Sequence, residues 1–162
     1  VLYLLIRIES KGGGFYSQER IGKNGKPFKL YKFRSMRIGS DKKGLITIGE
    51  KDNRITKTGF ILRKYKLDEL PQLWNVFIGD MSLVGPRPSL PKEVENFEPW
   101  MLKRLEVLPG ITCYWQVMGR NNIEFNEWMR LDIKYIEEKN LWLDIKLIFK
   151  TFFVLFGDKN AS

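Results

Sequence analysis

Arg63-Lys64-Tyr65-Lys66-Leu67-Asp68-Glu69-Leu70-Pro71-Gln72-Leu73 sets three cations ahead of two adjacent carboxylates and a proline. The stretch lies within residues 59–79, whose pattern predicts a helix in two pieces. Asp68 is placed to cap the second piece, and Pro71 then falls in its first turn, where a missing N–H costs little. Gly79-Asp80 ends it. Read alone, Asp68-Glu69 is a helix cap with an acidic first turn. Read with its cations, it is a phosphate site around an acidic pair, a donor set suited to Mg2+, which takes oxygen ligands and keeps company with phosphates.

Working outward, residues 15–21 and 28–33 read as short strands joined by a turn at Lys23-Asn24-Gly25-Lys26-Pro27, after a glycine turn at Gly12-Gly13-Gly14. Residues 37–58 are polar and are expected to form an extended surface loop. Residues 82–91 read as a loop with three prolines. Residues 92–108 read as helix, stopped by Pro109-Gly110. Residues 111–117 suit either a strand or a tight connection. Residues 124–139 form an amphipathic pattern, with Phe125, Trp128, Leu131, Tyr135 and Ile136 at helical spacing. With no repeat and no linker, residues 1–162 read as a single domain. Helices outnumber strands, so the expected class is α+β, helix-rich, with a small sheet or hairpin.

Composition narrows the chemistry. The 162 residues contain no histidine and one cysteine, Cys113. That excludes a Ser-His-Asp triad, a Cys-His pair, an HExxH zinc site and a histidine base. A lone cysteine forms neither an internal disulfide nor a CxxC site, which favours a cytosol-facing location. Chemistry is left to carboxylates, Lys, Arg, Tyr, Ser or a metal held by oxygen. The net charge of +9 is uneven: residues 1–66 hold 17 Lys and Arg against 5 Asp and Glu, and the remainder is slightly acidic. A basic N-terminal part suits a polyanionic partner: nucleic acid, anionic lipid or a phosphorylated substrate.

Both ends are apolar. Val1-Leu2-Tyr3-Leu4-Leu5-Ile6 precedes Arg7 and reads as the tail of a longer membrane segment, with an ordinary strand or core helix as the alternative. In residues 141–156, twelve of sixteen side chains are apolar, interrupted by Asp144, Lys146, Lys150 and Thr151. The run is short of the ~20 apolar residues a spanning helix needs. It suits a helix in the membrane interface, with Trp142 and the phenylalanines buried and the lysines at the headgroups. A core helix or a protein interface fits equally well.

Three further stretches join the acidic pair. Lys32-Phe33-Arg34-Ser35-Met36 offers two cations on one side of a strand. Gly79 through Pro88 is a stiff turn presenting Arg87. The third runs from Pro109-Gly110-Ile111-Thr112 to Gln116-Val117-Met118-Gly119-Arg120-Asn121. Arg63, Arg87 and Arg120 are suited to bidentate clamping of phosphate oxygens, and the first amides of the helix after Asp68 add a positive dipole end. An Asp attacking phosphorus forms an acyl-phosphate. Splitting the transfer in two lets one phosphate site serve donor and acceptor in turn.

Taken together, these stretches resemble the bacterial sugar transferase family, the monotopic polyprenol-phosphate phosphoglycosyl transferases, in its small single-domain form. Gln18-Glu19-Arg20-Ile21-Gly22, Leu131-Asp132 with Tyr135, and residues 141–151 extend the resemblance over almost the whole chain. The resemblance implies transfer of a sugar-1-phosphate from a UDP-sugar to undecaprenyl phosphate, with release of UMP and a requirement for Mg2+. It makes Asp68 the nucleophile and gives Glu69 a part in holding the metal or handling the proton. Lys32, Arg63, Arg87 and Arg120 match basic positions near the diphosphate or the lipid phosphate, Gln116 and Asn121 fall near the nucleotide-sugar, and Arg34 and Pro86 join them as substrate-binding positions. It also implies the cytoplasmic face of the bacterial inner membrane, entry of that membrane by a re-entrant N-terminal helix of which residues 1–7 are the tail, and initiation of a surface polysaccharide. The expected donor carries an N-acetylated hexosamine, and a homodimer is counted among the expected partners. Cys113 and Met118 depart from the family pattern beside the presumed substrate loop. Two other readings stand against this one. A nucleic-acid module would use the basic segment with Phe15, Tyr16, Phe28, Tyr31 and Phe33, but it leaves the acidic pair without a task and shows no known nucleic-acid motif. A non-catalytic membrane scaffold would tolerate loss of Asp68.

Overall fold

The computed structural model describes residues 2–10, 12–40, 52–118 and 124–157. Helix α1 (Leu2–Glu9) leads through the glycine turn into an antiparallel hairpin of β1 (Phe15–Ile21) and β2 (Pro27–Phe33), with Phe15 opposite Phe33 and Ile21 opposite Pro27. In the connecting turn Asn24 and Gly25 are both left-handed, at φ 57° and 73°. Asn-Gly is the pair that adopts that geometry at least cost, so the turn sets the hairpin's register.

Helix α2 (Lys57–Lys64) starts at Thr56, whose hydroxyl accepts from the Gly59 N–H. The Glu9 carboxylate accepts from the Thr58 N–H at 2.7 Å and so ties α1 to this start. After α2 the chain passes Lys66, left-handed at φ 54°, and enters a 3-10 turn, Leu67–Glu69. Helix α3 (Gln72–Phe77) follows. Its buried Asn75 accepts from the Tyr31 N–H at 3.1 Å and donates to the Lys29 carbonyl at 2.7 Å. One amide side chain thus satisfies backbone groups of β2 and docks the acidic turn beside the hairpin.

Strand β3 (Ser82–Val84) pairs in parallel with β4 (Gly110–Thr112), Ser82 beside Gly110 and Val84 beside Thr112. The backbones meet so closely that a Cβ on Gly110 would land on the Gly85 nitrogen, and only glycine permits the crossing. The remaining α-helices are α4 (Pro91–Val94), α5 (Tyr114–Val117), α6 (Phe125–Glu138) and α7 (Leu141–Gly157). Val84, Cys113, Tyr135 and Leu147 form a core where β3, α6 and α7 meet. Cutting Leu147 to Ala there is expected to cost roughly 2–5 kcal/mol. Tyr135 keeps its hydroxyl satisfied inside that core, 2.7 Å from Asp144 Oδ1.

The class is α+β and helix-rich with small sheets, as the sequence predicts, and the hairpin, α6 and α7 fall within a residue or two of expectation. Four details differ. Residues 82–84 are strand rather than loop, because their partner lies in β4, far along the chain. The helix expected over 92–108 is broken into α4 and a 3-10 helix, Pro99–Glu106, since Pro99 donates no N–H and holds Glu98 extended. Residues 111–117 are strand only at their start, Ile111 and Thr112 closing β4, and Tyr114 to Val117 form a short helix, α5, that neither expected form included. Asp68 caps no helix: it lies in the 3-10 turn, and α3 starts at Pro71 without a side-chain cap. Of the loop expected over 37–58, residues 41–51 lie outside the described residues; its flanks are joined by a bridge between Met36 and Ile55, and its last two residues open α2.

No helix among the described residues is long and apolar enough to cross a membrane. Large apolar side chains are nonetheless exposed on α1 (Ile8), α3 (Trp74, Phe77) and α7 (Trp142, Phe149, Phe153). Helix α7 turns Leu143 and Leu147 inward and presents Trp142, Phe149 and Phe153 outward with Lys146 and Lys150.

Candidate active site

The 3-10 turn Leu67–Glu69 packs against β2 and α2, and the proline loop after β3 faces it. A cavity of about 340 Å3 opens over the turn, with Arg20 and Lys32 from the hairpin, Arg63 from α2, and Arg87 from the proline loop on its wall. A second cavity, about 210 Å3, shares Arg20, Lys32, Arg63, Asp68 and Arg87 and extends toward Tyr16, Gln18 and Ser35. Asp68 lines both. The four cations that line both cavities come from β1, β2, α2 and the proline loop, and Lys66 adds a fifth to the first.

The two acidic neighbours are set apart electrostatically. Asp68 is buried, and its Oδ1 has no hydrogen-bond partner. Burial, and then the charge of Glu69, push its carboxyl above the usual range, against the pull of Lys32, Lys66 and Arg63. Burial also pushes Glu69 upward. There Lys32, by its charge and a 2.9 Å hydrogen bond, wins together with Lys66 and Arg87, and brings the group down to about 2. Glu69 is thus a fixed anion paired to Lys32. Asp68 is the carboxylate of the pair whose charge the fold disfavours, with one buried oxygen left without a hydrogen-bond partner.

The sequence-predicted residues divide. Lys32, Arg63, Arg87 and Gln116 line the cleft with the acidic pair. Gln116 is buried and donates to the Ile111 carbonyl at 2.8 Å, while its Oε1 has no hydrogen-bond partner. Arg34 reaches the second cavity, but its guanidinium donates to the Gly13 and Phe15 carbonyls, so it braces the glycine turn. Pro86 is buried and does not line the cleft; its carbonyl accepts from the Gly110 N–H at 2.9 Å and fixes the β3–β4 crossing. Arg120 and Asn121 lie outside the described residues.

Arg20 is the residue the sequence reading passes over. It is the buried position of β1, donates to the Pro88 carbonyl and Gln18 Oε1, and lines both cavities. Burial, and then the charge of Arg87, lower it to about 10, still a cation at neutral pH. Its inward position on the strand comes from the fold, and no local sequence signal marks it. Trp115 also lines the cleft, and the Arg87 guanidinium lies 5.6 Å from its ring centre and 5.9 Å from that of Trp128. Two indole rings thus hold a cation that remains solvent-exposed.

Behind the proline loop lies a buried network. Arg104 meets Asp132 at 2.6 Å, with both side chains withdrawn from solvent. It also donates to the Arg87 carbonyl and to Ser89 Oγ, each at 2.8 Å. This network sets the backbone from which Arg87 projects.

The donor set fits Mg2+. Among the described residues no group of three or more acidic, Cys or His side chains is gathered to hold a metal by protein alone. Mg2+ is commonly held by one or two carboxylates and completed by phosphate oxygens and water. Asp68 and Glu69 are such a pair, and the unpartnered Asp68 Oδ1 is the observation that favours them.

Comparison with known proteins is consistent over the chain. The family described as Bacterial sugar transferase matches residues 1–158. The galactosyl transferase CpsE of Streptococcus agalactiae is 45% identical, over 93% of this chain and 36% of the relative. The undecaprenyl-phosphate galactose phosphotransferase of Salmonella typhimurium is 40% identical, over 93% of this chain and 35% of the relative. The UDP-N-acetylgalactosamine-undecaprenyl-phosphate N-acetylgalactosaminephosphotransferase of Aeromonas hydrophila is 39% identical, over 91% and 36%. The chain spans about a third of the length of these relatives.

Proposed function

The chain belongs to the bacterial sugar transferase family, and from that premise we propose that it transfers a sugar-1-phosphate from a UDP-sugar to undecaprenyl phosphate, releasing UMP. The observation that carries this reading is Asp68: a buried carboxylate with an unpartnered oxygen, lining two cavities walled by the same cations. An Asp68 carboxylate oxygen bonds to the phosphorus that bears the sugar, and the P–O bond to UMP breaks. A phosphate oxygen of the lipid then attacks the same phosphorus, and the Asp68 carboxylate leaves. The transferred phosphorus thus stays in one place while donor and acceptor follow each other.

Each neighbour has a defined task. Arg20, Arg63 and Arg87 hold phosphate oxygens and offset the charge that builds on them. Lys32 keeps Glu69 ionised and in place. Lys32, Lys66 and Arg63 pull Asp68 toward the ionised form that burial disfavours. Mg2+, held by Asp68 and Glu69, would neutralise the diphosphate as charge moves onto UMP.

Relatives are named for both galactose and N-acetylgalactosamine. For this chain we retain the N-acetylated hexosamine as the proposed donor. Its place is the cytoplasmic face of the bacterial inner membrane, initiating a surface glycan, with the exposed apolar faces of α1, α3 and α7 toward lipid. The test is UMP release from a panel of UDP-sugars, with undecaprenyl phosphate, Mg2+ and detergent. UMP from one donor supports the reading and names the sugar. No UMP from any donor, with folded protein bound to liposomes, would move the chain to a scaffold role.

A further inference from the structure

A third cavity, about 260 Å3, lies between α3 and α7. Its walls are almost wholly apolar: Leu70 and Leu73 on one side, Leu83 below, Ile148 and Phe152 on the other. Lys66, Glu69 and Ile111 line both this groove and the cleft that holds Asp68, so the two spaces adjoin. The shared wall includes the turn where Lys66 takes a left-handed backbone, a conformation uncommon outside glycine and concentrated at functional sites.

We propose that this groove seats the first isoprene units of the lipid acceptor and thereby aims its phosphate at Asp68; the inference rests on the transfer reaction proposed above. The shape of the paired spaces matches an amphiphile, with a cation-walled cleft at one end and a greasy channel beside it. A UDP-sugar has no apolar chain to fill such a channel, whereas a polyprenyl phosphate joins the two characters through one bond. The groove is open along its length, for Leu70, Leu73, Leu83 and Phe152 are each 44–55% exposed. A long chain can therefore leave it sideways, and only the units nearest the phosphate need be held. Transfer of those units out of water is the hydrophobic effect applied to acceptor binding alone.

Two measurements on the full chain test this. A polyprenyl phosphate carrying a diazirine on the isoprene nearest the phosphate is expected to label peptides containing Leu73, Leu83 or Phe152. Undecaprenyl phosphate should compete that label away, and phosphatidylglycerol should not. Leu73→Ser and Leu83→Ser, both at exposed positions, are expected to raise the KM for undecaprenyl phosphate about tenfold each and to shift the KM for the UDP-sugar far less. Label elsewhere, equal competition by phosphatidylglycerol (a membrane acyl chain in the groove), or equal shifts in both KM values would overturn the proposal. Absence of UMP from unsubstituted protein would instead sink the transfer reaction, while competed labelling would still report on the groove.

Discussion

Asp68 and Asp132 are both buried aspartates in a basic protein, and burial pushes both carboxyls upward, but their surroundings differ. Asp132 closes on Arg104 at 2.6 Å, out of reach of solvent, and the pair spends its remaining donors on Ser89 and the Arg87 carbonyl. Asp68 lines a cleft and faces cations from separate stretches, so although each aspartate keeps one oxygen without a hydrogen-bond partner, only that of Asp68 belongs to a side chain on a cavity wall. The first arrangement is scaffold: charge consumed internally to hold a loop. The second keeps charge in readiness, at a cost in stability, for a group that arrives from outside.

Substitutions separate the two. Asp68→Asn has the largest expected effect, a fall of about a thousandfold or more in UMP release. Its melting temperature should hold or rise, because the amide removes a charge that burial disfavours. A lower melting temperature would place Asp68 with Asp132 as a structural residue. Arg104→Met comes next, an expected loss of about 3 kcal/mol in denaturant unfolding, since it strands a buried Asp and frees the loop carbonyl. If it unfolds no more readily than the unsubstituted chain, the buried pair is not scaffold.

Lys32→Met bears on the open site through pH. Glu69 has its carboxyl held near 2 against an ordinary 4.5. A lowered folded value contributes stability that is present above 4.5 and lost as pH falls toward 2. That acid limb, followed by thermal melts across the window, should flatten in Lys32→Met; an unchanged limb would mean that Lys32 does not hold Glu69. Trp115→Leu is the smallest, an expected loss of up to about tenfold in kcat/KM, because Arg87 keeps its charge and the Trp128 ring but loses one of its two indole neighbours. Loss of thermal stability in its place would make the indole a packing residue.

Much of this was legible in the sequence for local reasons. Asn24-Gly25 between alternating runs marks a hairpin, and the spacing of Phe125, Trp128, Leu131 and Tyr135 marks α6. What was not legible depends on partners remote in the chain. Strands β3 and β4 have three residues each and exist because Gly85 and Gly110 let two backbones meet. At the site, the Asp68-Glu69 pair and its flanking cations announce themselves. Arg20 does not, because only the fold shows that its strand position faces the cleft. Arg34 shows the converse: a cation beside the site in sequence whose hydrogen bonds go to the glycine turn.

The most direct test of the account is intact-mass analysis of the chain incubated with its UDP-sugar and Mg2+, with undecaprenyl phosphate left out. The account predicts one added sugar-phosphate, mapped to Asp68, absent in Asp68→Asn, and discharged when undecaprenyl phosphate is supplied. UMP release with no adduct, or with an adduct on another residue, would contradict it.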